Sequence, residues 1–422
     1  MIRHDDRPAP VQRAPRPGAR LARHAVARAL AKVRSGRITL TDGGWTLSAG
    51  EPADAATLHA AVRVLSPAFF RAVAFGGTVG AADSFARGEW ACDDLTALCR
   101  VIARNRDAFN ALDGPFATLA KWVLGLRHAR SRNTAEGSRR NIHAHYDLSN
   151  EFFALWLDPS MMYSCAVFEE PDGTPVPPHD LERAQRLHLD RLTAALDLAP
   201  THHLAEIGTG WGALALHAAR SSGCRVTTTT ISPAQARLAR DRIADAGLTD
   251  RVAVIERDYR DFPGVHDRLV SVEMIEAVGH QFLGEYFSAC ARLLRPGGRF
   301  VLQSIVIDDR YYEEGLASVD FIKARVFPGS FMPCRRVIRE HAARAGLRLE
   351  SEVEIGPHYA TTLREWRRRF MARLPEVRAL GFDEPFVRTW EFYLAYCEAG
   401  FAERHLGDVI YAFTKPGGAT GP

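Results

Sequence analysis

The sequence predicts an α/β protein, a doubly wound and mostly parallel sheet preceded by a smaller N-terminal α+β domain. Three observations carry this. From residue 141 onward, strand-like runs at 204–207, 225–231, 252–256, 268–273 and 299–306 alternate with helix-like runs such as Pro233–Ala246 and Gly284–Leu294. Alternation at this spacing belongs to βαβ units. The first strand runs into Glu206-Ile207-Gly208-Thr209-Gly210-Trp211-Gly212, and a helix-like run from Ala213 to Ala219 follows. Upstream, residues 127–140 are polar, basic and Gly/Ser-containing, which marks a linker between a domain at 36–126 and a catalytic domain at 141–422.

The front part is read in order. Residues 1–35 form a basic, partly disordered segment, with residues 1–19 rich in Pro and Arg. Leu21 to Val33 reads as a short basic amphipathic helix, with Leu21, Ala25, Ala29 and Val33 on one face. It can lie on a membrane or stand as a solvated helix. Arg37–Leu40 and Gly44–Leu47 suggest a hairpin, and Leu58–Leu65 and Leu95–Ala103 suggest helices. Further on, Pro296-Gly297-Gly298 is a turn just before a strand.

The 422 residues are 46% hydrophobic and 25% charged, enough for real cores. No apolar run approaches the roughly 18 residues that span a bilayer. No secretory h-region follows the N-terminal arginines. The seven cysteines form no C-x-x-C pair, which suits a reducing cytoplasm. Residues 1–140 hold 22 Lys+Arg against 12 Asp+Glu, a balance of +10, and the remainder is −6. A basic front half suggests an anionic partner, either nucleic acid or a phospholipid surface, unless the arginines only reflect a GC-rich genome.

An acid followed by Gly-x-Gly-x-Gly at a strand-to-helix turn is how a Rossmann-like domain holds S-adenosylmethionine (SAM). The glycines let the backbone pass close to the ligand, and Glu206 can reach the ammonium of its methionine part. A dinucleotide site would need G-x-G-x-x-G and an acid about 20 residues on, whereas the second strand ends in Thr227 to Ser232 with no carboxylate. A tight turn in another α/β domain is the remaining alternative. Thr230 to Gln235 is the nearest substitute grip for the ribose.

Other strand ends offer chemistry. Asp258-Tyr259 can clamp an adenine or be plain loop residues. Glu273 and Glu276 stand three apart in an apolar segment, where a carboxylate can act as base or balance positive charge, or merely cap a helix. Gln303-Ser304 ends the fifth strand. His143 and His145 have no third ligand at metal spacing, so no metal site is expected. Cys165 can be a nucleophile, but a lone cysteine among apolar residues is more often buried and inert.

These residues match a family. The chain resembles the cyclopropane-fatty-acyl-phospholipid synthases and the related mycolic-acid methyltransferases. The shared signatures are HYDLSNEFF (145–153), LDPSMMYSCAVF (157–168), EIGTGWG (206–212), TTISPAQ (229–235), EMIEAVG (273–279), FPGSFMP (327–333) and FYLAYCEAGF (392–401). GTVGAADSFARGEWACDDL (77–95) extends the resemblance to the front domain of the longer synthases.

The resemblance implies a Rossmann-like SAM-dependent methyltransferase fold and a lipid reaction. The π electrons of a cis double bond in a phospholipid acyl chain attack the SAM methyl, and the resulting carbocation loses a proton to close a cyclopropane. It further implies a bound bicarbonate as base, held at positions matching Cys165 (backbone), Glu276, Gln303, Ile305 and Tyr393. Gln303 stands where the family has His, and Ala277 also replaces a usual His. Glutamine donates hydrogen bonds but carries no proton, so methyl- or methylene-branched acyl chains, or another unsaturated substrate, are the alternative outcome.

Implied SAM contacts are Tyr163, Ser164, Gly208, Gly210, Gly212, Thr230, Ile231, Gln235 and Tyr259. A dry, aromatic pocket suits a carbocation. Tyr146, Phe152, Phe153, Tyr163, Phe168, Phe327, Phe331, Tyr393 and Tyr396 are candidates to line it. Arg364–Arg373 is a candidate to meet phosphate headgroups at its mouth. The expected partners are membrane phospholipids met peripherally at the inner face of the membrane, and no nucleic acid. Oligomeric state stays open, with a homodimer among the alternatives. A small-molecule or nucleic-acid methyltransferase and a binding protein without activity are the competing readings. No nucleic-acid module or N-P-P-Y motif supports the former, and the intact glycine loop speaks against the latter.

Overall fold

The computed structural model describes residues 17–52, 54, 57–110 and 148–417. The expected linker at 127–140, His143, His145 and Tyr146 lie outside these residues.

The front part holds a four-stranded sheet ordered β2-β1-β3-β4, with β1 Arg37–Asp42, β2 Trp45–Gly50, β3 His59–Val64 and β4 Trp90–Cys92. The expected hairpin forms, β1 pairing antiparallel with β2. Leu58–Leu65 is a strand and not the expected helix. Ala60, Val62 and Val64 are buried and alternate with His59, Ala61 and Arg63, a period of two that fits a pleated sheet. β3 then runs parallel to β1.

The helix Pro17–Leu30 begins within the stretch expected to be disordered and ends short of Val33. Its buried face is Ala22, Val26, Ala29 and Leu30, whereas Leu21 is 67% exposed. That face packs on the long helix Ala68–Ala86. The apolar stripe is therefore spent within the protein. The Ala68–Ala86 helix was not foreseen, and it kinks at Gly77, where φ is 53°. Leu95–Arg104 is helical as expected, capped by the Asp94 carboxylate on the Ala97 N–H.

The larger part is a seven-stranded sheet ordered β10-β11-β9-β8-β5-β6-β7. Its strands are β5 His203–Ile207, β6 Arg225–Thr230, β7 Val252–Glu256, β8 His266–Val272, β9 Leu294–Ile307, β10 Arg348–Glu354 and β11 Leu406–Thr414. β7, β6, β5, β8 and β9 are parallel, and β11 enters antiparallel between β9 and β10. Leu204, Ala205, Leu269, Val270, Phe300, Val301 and Leu302 are all fully buried, as in a sheet covered on both faces. The helix Pro233–Asp245 starts at Ser232, whose hydroxyl accepts from the Gln235 N–H, with Pro233 in its first turn. Pro296–Gly298 lies inside β9 and not before it.

The helix Glu384–Ala402 joins the two parts. It packs on Ala68–Ala86, on Leu95–Arg104 and on the helix Gly356–Ala372. Phe392 meets Phe85 and Trp90 at ring-centroid distances of 5.9 and 6.4 Å. The Arg388 guanidinium lies 4.0 Å over the Phe85 ring and donates to the Phe85 and Trp90 carbonyls. Among the described residues no helix is long and apolar enough to cross a membrane.

Phe85→Ala should cost about 3–5 kcal/mol, the usual range for a fully buried Phe. Denaturant unfolding checks this; a loss below about 1 kcal/mol would mean the Phe85 contacts do not hold the front part to the Glu384–Ala402 helix.

Candidate functional site

A cavity of about 780 Å³ opens at the carboxyl ends of β5, β6 and β8 and continues between the larger part and the front part. Ligands in doubly wound sheets sit at this edge, and the volume falls within the roughly 300–1,000 Å³ of ordinary ligand pockets. Its walls include Tyr163, Ser164, Glu206, Gly208, Gly210, Thr230, Ile231, Gln235, Asp258, Tyr259, Glu276, Ile305 and Tyr393. Gly212, Cys165 and Gln303 are not among them.

The β5 end builds one half. Gly208, Gly210 and Gly212 have φ of 99°, 51° and 86°, a backbone that side-chain-bearing residues avoid. The loop is tied to β6 by Gly208 and Thr209 N–H groups donating to the Thr229 carbonyl, both at 3.0 Å. A Cβ on Gly210 would meet no protein atom within 4 Å, whereas one on Gly212 would lie 3.4 Å from the Ala239 Cβ. Gly210 thus leaves room on the cavity side, and Gly212 lets the loop pack on Pro233–Asp245. Burial pushes the Glu206 carboxyl up to about 8, and its Oε2 has no hydrogen-bond partner. An orphaned acid at the edge of a cavity calls for a cationic ligand group. The Thr230 hydroxyl donates to Gln235 Oε1 at 3.1 Å, closing the wall where a ribose acid is missing. Tyr259 is buried beside them, with the Arg260 guanidinium 5.2 Å from its ring centre. Asp258 lines the cavity beside it, accepts from the Arg260 N–H and pairs with its side chain at 3.1 Å through the same oxygen. These residues fit SAM: an acid for its ammonium, room at Gly210 and an aromatic wall.

The β8 and β9 ends build the other half. Glu276 Oε1 accepts from the Ile305 N–H at 2.7 Å and from Ser304 Oγ at 2.8 Å, while Oε2 has no partner. Burial, and then the neighbouring Glu273, push Glu276 up to about 8. Tyr393 and Tyr163 share a hydroxyl hydrogen bond of 2.7 Å. Gln303 is fully buried behind the wall. Its Nε2 faces Asp408 Oδ2 at 2.7 Å, Ser164 Oγ at 3.0 Å and Glu273 Oε1 at 3.0 Å, and its Oε1 faces His188 Nε2 at 2.6 Å. Burial pushes His188 down to about 4, so it is neutral and donates from Nε2. The Cys165 thiol is buried against the Ala166 and Ile355 carbonyls and held well up by desolvation, which removes it as a nucleophile.

Glu273, one of the two carboxylates read from the sequence as a base or a balance for positive charge, lines the cavity and lies at the centre of this half. Its Oε1 accepts from Ser164 Oγ at 2.5 Å, the Cys165 N–H at 3.2 Å and Gln303, and its Oε2 from the Tyr359 hydroxyl at 2.6 Å. Its φ is +47°, in the left-handed region. The groups expected to hold a bicarbonate are thereby engaged: the Cys165 N–H and Gln303 with Glu273, the Ile305 N–H with Glu276, and Tyr393 with Tyr163. A bicarbonate does not fit these donors. Tyr359 and Asp408 could not be picked out from local spacing, since each comes from a distant segment.

Other expectations are corrected. Of the candidate aromatics, Tyr163, Phe327, Tyr393 and Tyr396 line the cavity. Phe152, Phe153, Phe168 and Phe331 are buried core. Arg364–Arg373 does not reach the cavity. Arg364 and Arg367 pair with Glu398, Arg368 and Arg369 with Glu365, and Arg373 with Glu376. The described residues contain no cluster of metal-ligating side chains.

The fold and this cavity define a SAM-dependent methyltransferase. The chain belongs to the mycolic acid cyclopropane synthetase family, whose model matches residues 133–410. It is 38% identical to the tuberculostearic acid methyltransferase UfaA1 of Mycobacterium tuberculosis, over 90% of this chain and 87% of that one. It is 32% identical to the cyclopropane-fatty-acyl-phospholipid synthase of Escherichia coli K12, over 87% and 89%. The cyclopropane synthase MmaA2 from M. tuberculosis superposes with a TM-score of 0.60 at 29% identity, covering 66% of this chain and 98% of that one. The mycolic acid cyclopropane synthase CmaA1, complexed with SAH and CTAB, gives 0.60 at 30% identity with the same coverage.

Gly210→Val should weaken SAM binding by roughly tenfold or more, about 1.4 kcal/mol, in a folded protein. Calorimetry checks this, and undiminished affinity would remove the loop from the site. Because the free Glu206 carboxyl is held near 8, pairing with the SAM ammonium should expel its proton at pH 7. Titrations in buffers of different ionisation enthalpy should report that proton, and Glu206→Gln should abolish it.

Proposed function

We propose that this chain transfers the SAM methyl to a cis double bond in the acyl chain of a phospholipid. The observation that carries the reading is a single cavity joining the SAM-type loop to an apolar channel. Beyond Tyr393 and Phe327 it runs past Tyr396, Ile102, Val73 and Phe69 of the front part. Such a wall suits a hydrocarbon chain and excludes water, which would otherwise trap a carbocation. The relatives named for fatty-acyl-phospholipid and tuberculostearic acid chemistry support the same substrate class.

When bound, SAM supplies an electrophilic methyl on a cationic sulfur. The residues of this chain do the rest. Glu206 and the glycine loop anchor and orient the cofactor. Tyr163, Phe327 and Tyr393 present rings to a positive reaction centre. Glu273 and Glu276 place carboxyl groups at the same wall, where a positive centre favours their charged forms. Both a cyclopropane and a methylene branch remain within reach of this arrangement, since each follows from removing a proton after methyl addition.

Lipids from a bacterial host expressing the chain should gain one CH2 per modified acyl chain, resolved by mass spectrometry as ring, methylene or methyl branch. Unchanged lipids in a host that supplies SAM and cis-unsaturated phospholipids would sink the reading. We also propose that residues 1–140, with their +10 balance, bring the enzyme peripherally to anionic membrane surfaces. Sedimentation with vesicles should show salt-sensitive binding to anionic lipid; equal binding to neutral vesicles would refute an electrostatic role.

A further inference from the structure

We propose that Glu273 is the proton acceptor of the reaction, a carboxylate built into the chain at the place where a free anion would otherwise be needed. The inference rests on the lipid methyl-transfer reading and extends it to the step after methyl transfer.

Six carboxylates line the cavity, Glu206, Asp258, Glu273, Glu276, Glu314 and Asp320, of which Glu206, Glu273 and Glu276 stand at the ends of β5 and β8. Glu206 stands at the end of β5, with the glycine loop. Glu276 receives two donors on one oxygen and lacks a partner on the other. Glu273 receives four donors, from Ser164, Cys165, Gln303 and Tyr359, divided between both oxygens. Donors aimed at a carboxylate favour its charged form. Glu273, Glu276 and Asp408 are neighbours that raise one another, and three such buried acids cannot all ionise at once. Burial pushes Glu273 up as well, against the pull of its four donors; the donor count selects it as the acid of this group that ionises first. Asp408, behind it, is held well up by burial and then by Glu273 itself.

The backbone supports the assignment. Glu273 has φ +47° at the end of β8, and its N–H donates to the Gln303 carbonyl at 2.9 Å. A non-glycine residue in this conformation is strained and persists only where the surroundings impose it. Here the surroundings consist of donors drawn from separate segments, all converging on one side chain. That is the arrangement of a positioned base.

The step balances. The alkene π pair forms a C–C bond to the methyl as the S–C bond breaks, leaving a neutral thioether and a carbocation. Glu273 takes a proton from the added methyl and becomes a carboxylic acid. The C–H pair closes the ring as the proton leaves; where a 1,2-hydride shift first brings the cation to the methyl-bearing carbon, the same pair forms an exocyclic methylene. The proton later returns to solvent, and no oxidant or reductant is needed.

The test uses the full chain with SAM and cis-unsaturated phospholipid vesicles, in buffer stripped of carbon dioxide and in buffer with added bicarbonate. The parent should turn over equally in both. Glu273→Gln should lose about 10²–10⁴-fold in kcat, the range for a general base, with SAM affinity kept. Glu273→Gly, which also suits the positive φ, should regain part of that rate with bicarbonate. A second readout needs no lipid: carbon-13 bicarbonate in NMR with SAM present should bind Glu273→Gly and not the parent. A parent that requires or binds bicarbonate, or a Glu273→Gln variant at parental rate, would overturn the assignment. A parent with no bicarbonate site and no methylated lipid would instead overturn the substrate reading, leaving the filled anion site intact.

Discussion

Gln303, near the carboxyl end of β9, is fully buried and uses both ends of its amide. Its oxygen faces a neutral His188, and its nitrogen faces Ser164, Glu273 and Asp408. Those partners come from a helix, a loop and the ends of β8 and β11, so one side chain joins the pieces that make the reacting half of the cavity. A neutral histidine could accept the His188 proton on a ring nitrogen, but it would have a single N–H to give where the Gln303 amide nitrogen has two. The exchange of His for Gln at this position thus belongs with the other residues of the network. Glu273 fills the space in front of the amide, and Asp408 closes it behind. Partly satisfied networks of this kind are costly, which ties the identities of Gln303, Glu273 and Asp408 to one another.

The same economy explains the acids. Glu206 and Glu276 are both pushed up to about 8, mainly by burial. Each keeps an oxygen without a partner. A site like this is poorly satisfied when empty and well satisfied when it holds positive charge. The ammonium and sulfonium of SAM supply that charge. Buried acids that would only weaken a structural core become useful in a pocket whose ligands are cations.

Most of the catalytic fold was legible because its signals are local. Glycine spacing, Ser232 before Pro233, and apolar runs at 204–207 and 252–256 each act within a few residues. The failures are equally physical. His59–Val64 was read as helical although Ala60, Val62 and Val64 alternate, because the flanking Leu58 and Leu65 also suit a helical stripe. β10 was invisible: RLESEVE is mostly polar, and its strand lies at the sheet edge beside β11. Gln303 was legible as a departure from the family, but its direction was not. Only tertiary structure shows that it faces away from the cavity and spends its amide on Glu273. Tyr359 and Asp408 carry no local signal at all, since their role exists only once β11 and the Gly356–Ala372 helix reach the end of β8.

The front part acquires a reason in this light. Tyr393 and Phe392 are neighbours on the Glu384–Ala402 helix, one toward Tyr163 and the other toward Phe85 and Trp90. Glu398, five residues after Tyr393, is buried and accepts from Thr96 of the front part and from Arg364 and Arg367 of the catalytic part. Glu403 adds pairs to Arg100 and Arg104. The helix that presents a ring to the reaction centre is therefore held on its other side by the front part. A displacement of that contact would carry Tyr393 with it, and small misplacements in a catalytic pocket are expensive. The front part consequently acts on the chemistry in two ways. It supplies apolar wall for the substrate, and it fixes the rotation of the helix on which Tyr393 stands.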